Sequence, residues 1–199
     1  MSWFSTLETE RLIVREYAEG DAPARMALMT ECFDSDYTLE QHQGWLEWTI
    51  GSYREHGAMF QPPYGDYAVA LKSTGELVGS VGLVPQGVPW AVLPEFRAYG
   101  ESVHELVTPE YGMFWATLNA HRGKGYAAEA ARAFMNDFIF GVLNARRAIA
   151  TTEHDNIGSQ RVMEKIGMTL YRNPGPDPFW FNVVGVAYHP SLTGKSSTT

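Results

Sequence analysis

The chain has 199 residues, with fifteen Lys plus Arg against 23 Asp plus Glu, a net charge of −8, and 45% hydrophobic and 19% charged residues; this is the composition of one ordered globular domain and excludes a disordered chain. The acidic balance excludes a nucleic-acid partner gripped through its phosphates, which demands a basic face, and the single cysteine, Cys32, excludes an intramolecular disulfide and a cysteine-rich zinc site. No apolar run approaches the ~18–20 residues that span a bilayer, and Met1-Ser2-Trp3-Phe4-Ser5 lacks the basic-then-apolar order of a signal peptide, so a soluble, cytoplasmic protein with no membrane partner is expected.

Leu12 to Tyr17 alternates in character and predicts a first strand. Asp21 is the expected cap of a helix carrying Pro23 in its first turn. Thr38 and Gln41 have capping-box spacing and open a second helix, whose apolar surface comes from Trp45, Trp48 and Ile50 to Tyr53, with the tryptophans in the core. Tyr67 to Lys72, the turn Ser73-Thr74-Gly75-Glu76, and Leu77 to Val84 predict a β-hairpin. Residues 85–109 hold Pro85, Pro89, Pro94 and Pro109 with little periodicity, which predicts a long loop insertion, either a binding element or a tolerated surface insertion.

Tyr111 to Leu118 is the next expected strand, followed by a glycine-rich turn and a helix to about Phe140, with Ala127, Ala130, Ala131, Phe134 and Phe138 on one face. Arg147 to Thr152 predicts a strand. Asp155 or Asn156 caps a helix ending at Gly167, and Trp180 to Tyr188 predicts a last strand. The expectation is an α+β (mixed α/β) single domain over 1–190, with a flexible tail over 191–199.

The chemistry concentrates in Arg122-Gly123-Lys124-Gly125-Tyr126-Ala127. A glycine turn opening a helix leaves unpaired N–H groups and the positive dipole end facing outward, which is an anion site. Arg122 and Lys124 add positive charge in an acidic chain, so a phosphate-bearing ligand is the natural reading; a purely structural strand-to-helix turn is the alternative. The Walker pattern fails because Gly125 follows Lys124, and Gly194-Lys195-Ser196 has only its second half, with His189 where the first glycine belongs. Gly123, Gly125 and Ala128 formally meet the dinucleotide pattern of an oxidoreductase. The acidic residue that pattern needs ~20 positions on is missing, the nearest being Glu153.

Arg122-x-x-Gly125-x-Ala127 resembles the acetyl-CoA pyrophosphate loop of the GCN5-related N-acetyltransferases, whose pattern is [RQ]-x-x-G-x-[GA]. Thr9-Glu10-Arg11-Leu12-Ile13-Val14-Arg15 with Asp21-Ala22 is similar to the opening strand and helix of the branch that acetylates ribosomal-protein N-termini (the RimJ/RimL-like branch). Gly75-Glu76-Leu77-Val78-Gly79 resembles its central hairpin. Asn156-x-x-Ser159 with Val162 to Met168 resembles its second cofactor-side helix. The motifs stand in the family's order over residues 7–171. The resemblance implies a mostly antiparallel sheet of about six to seven strands flanked by helices and splayed between Tyr111–Leu118 and Arg147–Thr152. It further implies acetyl-CoA as cofactor, Trp115 and Thr117 pairing with pantetheine, the N–H groups of Arg122, Gly123, Lys124, Gly125, Tyr126 and Ala127 on the pyrophosphate, and Asn156 contacting the cofactor from the opposite wall.

Acetyl transfer to an amine needs a neutral nucleophile and a proton for the departing thiolate. Many family members carry a tyrosine as the acid; the matching position here is Met163, so the resemblance points to Ser159 as the acid and to Glu110 as the base, with Asp177 and a water chain left open. The histidines His42, His56, His104, His154 and His189 lack metal-ligand spacing, so no metal is expected, and His121 is expected as a loop residue near phosphate. The segment Arg172 to Phe181, with the 85–109 loop, is expected to shape the acceptor pocket, core packing of Phe179 to Phe181 being the alternative. The acceptor is an amine-bearing small molecule or a protein N-terminus, and the chain a monomer or homodimer. A non-catalytic acyl-CoA sensor on the same fold is the competing reading.

Overall fold

A computed structural model describes residues 3–97 and 106–193. Its strands are β1 (Leu7–Glu8), β2 (Leu12–Arg15), β3 (Gly65–Leu71), β4 (Leu77–Val88), β5 (Thr108–Thr117), β6 (Arg147–Thr152), β7 (Thr169–Arg172) and β8 (Val183–Tyr188). The helices are α1 (Ala22–Phe33), α2 (Leu39–Ala58), α3 (Tyr126–Ala133, continuing as a π-helix over Phe134–Phe140), α4 (Ile157–Lys165) and α5 (Pro190–Thr193). The strands form one open, mixed sheet in the order β1-β2-β3-β4-β5-β6-β8-β7. The recorded pairings are antiparallel except β5 with β6, which run parallel and share the register pair Gly112↔Ile149. The sheet thus has eight strands where six to seven were expected. The two additional ones, β1 and β7, are two and four residues long, too short for a period-2 pattern to declare itself.

The chain divides into two compact units, 1–83 with 114–143 and 84–113 with 144–199. In the first, the fully buried Tyr67 ring is met by Phe4 at 4.0 Å, Phe134 at 5.3 Å and Tyr53 at 5.4 Å. A second cluster joins Leu28 of α1, Leu46 of α2 and Ala116 of β5, with Trp45 and Leu118 packed against it. In the second unit, Val88, Leu93, Ile149, Phe181, Val184 and Val186 form the core. Each such side chain contributes roughly 1.5–3 kcal/mol on full burial.

The capping box at Thr38 forms as expected: Thr38 N donates to Gln41 Oε1 at 2.7 Å and Gln41 N to Thr38 Oγ1 at 3.3 Å. Buried positions His42, Leu46, Thr49 and Tyr53 follow at helical spacing. Trp48 does not join them; it is 62% exposed because it lies off that stripe. The expected cap by Asp21 is also corrected. A 3-10 turn over Glu19–Asp21 puts Asp21 in the helical region (φ −83°, ψ −4°), where its side chain cannot reach forward. Its carboxylate instead turns back to Ala18 N at 2.8 Å and to both terminal nitrogens of Arg15.

The 85–109 loop is shorter at both ends than expected. β4 runs on to Val88 and β5 starts at Thr108, with 3-10 turns over Trp90–Val92 and Pro94–Phe96 between them. Pro85 is tolerated because the β3 ladder ends at Gly65↔Leu83, so no bond to β3 needs its missing N–H. The middle of that loop, 98–105 with His104, lies outside the described residues, as does the tail from residue 194 with Gly194-Lys195-Ser196. The start of the tail is helical, since Pro190–Thr193 forms α5. The expected last strand begins at Val183, Phe179–Phe181 forming a 3-10 turn before it.

Candidate functional site

The strand, turn and helix that concentrate the chemistry lie in the first unit. Trp115 and Thr117 close β5, and a 3-10 turn over Asn119–His121 leads to Arg122, Gly123 and Lys124 at the surface. Gly123 (φ +76°) and Gly125 (φ +84°) both take left-handed backbone, which a Cβ penalises. Gly125 is the residue before α3, and no side chain caps that helix. The N–H groups of Gly123, Lys124, Gly125, Tyr126 and Ala127 have no acceptor among the described residues, whereas that of Arg122, expected in the same row, is spent on Asn119 O at 3.2 Å in the 3-10 turn. Five successive donors at a helix start are the chemistry that an anion requires.

Arg11, in the turn between β1 and β2, holds this loop from outside. Its Nη1 donates to Lys124 O at 3.0 Å, its Nε to Glu129 Oε2 at 2.7 Å, and its guanidinium carbon stands 4.6 Å from the Tyr126 ring centroid. Glu129, on α3, also accepts from Thr9 Oγ1 at 2.6 Å and Arg11 N at 2.9 Å. Burial alone would raise the Glu129 carboxyl, but the hydrogen bonds from Thr9 and Arg11 hold it below the usual carboxylate range. Arg122, exposed, folds back along its own loop: Nε donates to Thr117 O at 3.1 Å and Nη2 to Cys32 Sγ at 3.5 Å. Its charge thus supports the loop from behind, and the Thr117 carbonyl is occupied within the loop. Asn119 N donates to Glu31 at 2.8 Å, and His121 Nε2 meets Glu76 Oε1 at 3.1 Å. Lys124 is exposed.

Arg11 and Glu129 carry no local signal of this role, since they lie 118 residues apart in sequence and nothing in their neighbourhoods marks a partner. Arg11→Ala is expected to weaken binding of the acetyl-CoA that the sequence resemblance assigns to this loop about tenfold, or ~1.4 kcal/mol, read by titration calorimetry. Its 43% exposed side chain keeps the melting temperature nearly unchanged.

The remaining expected site residues lie in the second unit. Glu110 accepts from Trp90 Nε1 at 3.0 Å and from Arg147 Nε at 2.8 Å, and Arg147 Nη2 also donates to it. The Arg147 guanidinium carbon lies 4.4 Å from the Trp90 ring centroid. Both Glu110 oxygens are therefore engaged, and its hydrogen bond to Arg147 raises the arginine's pKa. Asn156 caps α4, its Oδ1 accepting from Ser159 N at 3.1 Å. The Ser159 hydroxyl, half-buried, has no hydrogen-bond partner among the described residues. Met163 is fully buried against β8, where its Sδ would stand 2.9 Å from a Cβ at Gly185.

The Arg172–Phe181 segment is held by its own amides. Asn173 Nδ2 donates to Asp177 O at 2.9 Å, Gly175 N to Asn173 Oδ1 at 2.9 Å, and Asn182 Nδ2 to Pro176 O at 3.2 Å. Phe181 is fully buried, whereas Phe179 is 65% exposed. Among the described residues, no group of three His, Cys, Asp or Glu is placed to hold a metal, and no helix is long and apolar enough to cross a membrane.

Comparison with known proteins converges on one family. The model of the acetyltransferase (GNAT) domain matches residues 11–169. The uncharacterised N-acetyltransferase YnaD of Bacillus subtilis is 38% identical over 73 residues, which are 37% of this chain; the match spans only 38% of that relative's length. The crystal structure of an acetyltransferase from Agrobacterium tumefaciens C58 is 26% identical, with a TM-score of 0.63, covering 93% of this chain and 95% of that one. RimL, a ribosomal L7/L12 alpha-N-protein acetyltransferase solved with coenzyme A, shares the fold at a TM-score of 0.62 and 14% identity, covering 92% and 98% of the two chains.

Proposed function

Because the chain belongs to the GNAT acetyltransferase family, we propose that it transfers an acetyl group from acetyl-CoA to a primary amine, residues 1–190 acting as one acetyltransferase domain. The observation that carries this reading is the row of five free N–H donors from Gly123 to Ala127 at the start of α3, the chemistry a diphosphate requires. RimL's complex with coenzyme A supports the same ligand on the same fold.

Acetyl-CoA, when bound, supplies the activated acetyl thioester. The backbone from Gly123 to Ala127 holds its diphosphate, and Trp115 and Thr117 offer backbone to the pantetheine amides, Thr117 through its N–H because its carbonyl is taken. Asn156 fixes the first turn of α4 and with it Ser159. The Ser159 hydroxyl, having no internal partner, is the proton donor to the departing thiolate. Glu110, with both oxygens held by Arg147 and Trp90, serves as an orienting group, not a free base. That arrangement suits an acceptor needing little deprotonation, such as an α-amino group with a reference pKa of ~7.7–8.0, over a lysine at ~10.4.

Calorimetric titration with acetyl-CoA tests the reading first, and an absence of binding at millimolar ligand ends it. A panel of amines with thiol-release detection then separates an enzyme from an acyl-CoA sensor, the reading that the buried Met163 at the family's acid position favours. Turnover with any amine eliminates the sensor. Ser159→Ala is expected to lower turnover by at least about tenfold with acetyl-CoA affinity within twofold of wild type; equal turnover would remove Ser159 from the mechanism.

A further inference from the structure

In the second unit, one polar side chain crosses from strand to strand. Gln86 stands near the end of β4, and its Nε2 donates to Thr151 Oγ1 on β6 at 3.0 Å. β5 lies between those two strands in the sheet, so the side chain passes over it. The crossing point is Gly112. A Cβ there would stand 2.5 Å from Gln86 Oε1, 3.1 Å from Gln86 Cβ and 3.2 Å from Val84 Cγ2. Gly112 is therefore a strand glycine of the kind that permits a close approach, and the space its missing side chain leaves is filled by the glutamine.

Stability does not account for this crossbar. Gln86 and Thr151 are only half-buried, and one neutral hydrogen bond gains little over the entropy lost in ordering a glutamine. The glycine it requires weakens the interior of β5. A local choice that runs against stability points to a functional position. That position is the place where β5 and β6 part. Among the described residues their register pair is Gly112↔Ile149. Thr151 lies two residues further along β6, where its register partner is Val184 of β8, on the side away from β5. The crossbar thus stands at the narrow end of the opening, on the face to which Gly112 would turn a side chain.

The proposed reaction gives this end of the strand a meaning. With the diphosphate on the loop that follows β5 and the pantetheine amides on Thr117 and then Trp115, the arm runs back towards the start of β5. Two strand residues advance about 6.6 Å, and two methylenes and the sulfur separate the second amide from the thioester carbonyl. The next such step along β5 is Met113, adjacent to Gly112. We propose that Gln86, held by Thr151, is the stop for the acyl group and makes the protein selective for acetyl over longer acyl thioesters. An acetyl group ends at its methyl, whereas each further methylene has to push the glutamine amide off Thr151. The proposal rests on the acetyltransferase reading for the position of the thioester, and its test needs no acceptor amine.

The test titrates wild type, Gln86→Ala and Thr151→Val calorimetrically with acetyl-, propionyl-, butyryl- and hexanoyl-CoA. Free CoA, which has no acyl group, is the reference for each protein. Wild type is expected to bind acetyl-CoA at least tenfold more tightly than butyryl-CoA. Gln86→Ala should bring the two within twofold. Thr151→Val, which frees the glutamine without removing it, should leave a reduced preference. A merely structural role for Gln86 would change the affinity for CoA and every thioester alike and leave their ratios in place. Equal affinity of wild type for acetyl- and butyryl-CoA, or a preference that survives Gln86→Ala, overturns the proposal. If Gln86→Ala does not fold by circular dichroism, Thr151→Val decides, and an undiminished preference there overturns it. Failure of wild type to bind CoA and all four thioesters ends the acetyltransferase reading and this proposal with it, whereas binding without selectivity ends the proposal alone.

Discussion

Gly125→Glu is expected to abolish acetyl-CoA binding. Gly125 stands at φ +84° immediately before α3, in backbone that costs a non-glycine residue about 1–2 kcal/mol. Any Cβ there meets Arg11 Nη2 at 3.5 Å, so the new carboxylate has a cation close at hand. It would draw Arg11 from Lys124 O and Glu129 and occupy the donors that the diphosphate requires. The charge also reverses the local field at a helix start, where an anion is otherwise stabilised. Calorimetry should record no heat up to millimolar acetyl-CoA. Gly125→Ala, which adds the strain without the charge, should retain measurable but weaker binding. Retained affinity in Gly125→Glu would mean that the diphosphate is held elsewhere.

The second large effect falls on the sheet that positions the loop. A Cβ added at Gly79 of β4 would press into the Ala116 carbonyl of β5 and stand 3.5 Å from Thr117 Cα. The obstacle is backbone, which cannot rotate aside as a side chain would. Leu118 N also donates to Val78 O at 3.0 Å in the same stretch, so relief by separation of β4 and β5 breaks ladder bonds. Overpacking of this kind costs about 1–3 kcal/mol, and for a domain of this size each kcal/mol lowers the melting temperature by roughly 2–4 °C. Gly79→Ala should therefore melt about 2–12 °C below wild type, with loss of acetyl-CoA affinity because Thr117 anchors Arg122. Gly20→Ala, where nothing lies within 4 Å of the added atom, is the control and should leave both measurements close to wild type.

The parts of this architecture legible in the sequence were those with local rules. The Thr38–Gln41 capping box, the Asn156 cap and the glycines at 123 and 125 each follow from backbone chemistry within four residues, and the structure has all of them. The order of strands and helices followed from period and turn residues, and the family resemblance from motifs in order. What local pattern could not supply was partnership across long separations. Nothing near Asp21 signals that its carboxylate turns back to Arg15 instead of capping α1. Nothing near Glu110 signals Arg147 and Trp90, and a strand glutamate free to accept a proton reads identically to one held by a bidentate arginine. Arg25 and His42 look in sequence like ordinary helix-surface residues; only the packing of α1 on α2 buries both.

The proposed function requires the backbone between Gly123 and Ala127 to hold the diphosphate of acetyl-CoA. Amide chemical shifts of uniformly ¹⁵N-labelled protein, followed while acetyl-CoA is added, test it most directly. The largest shifts are expected at the amides of Gly123, Lys124, Gly125, Tyr126 and Ala127, saturating with the calorimetric affinity. Saturable binding whose shifts leave those five amides unmoved would mean that the diphosphate is not held by this backbone.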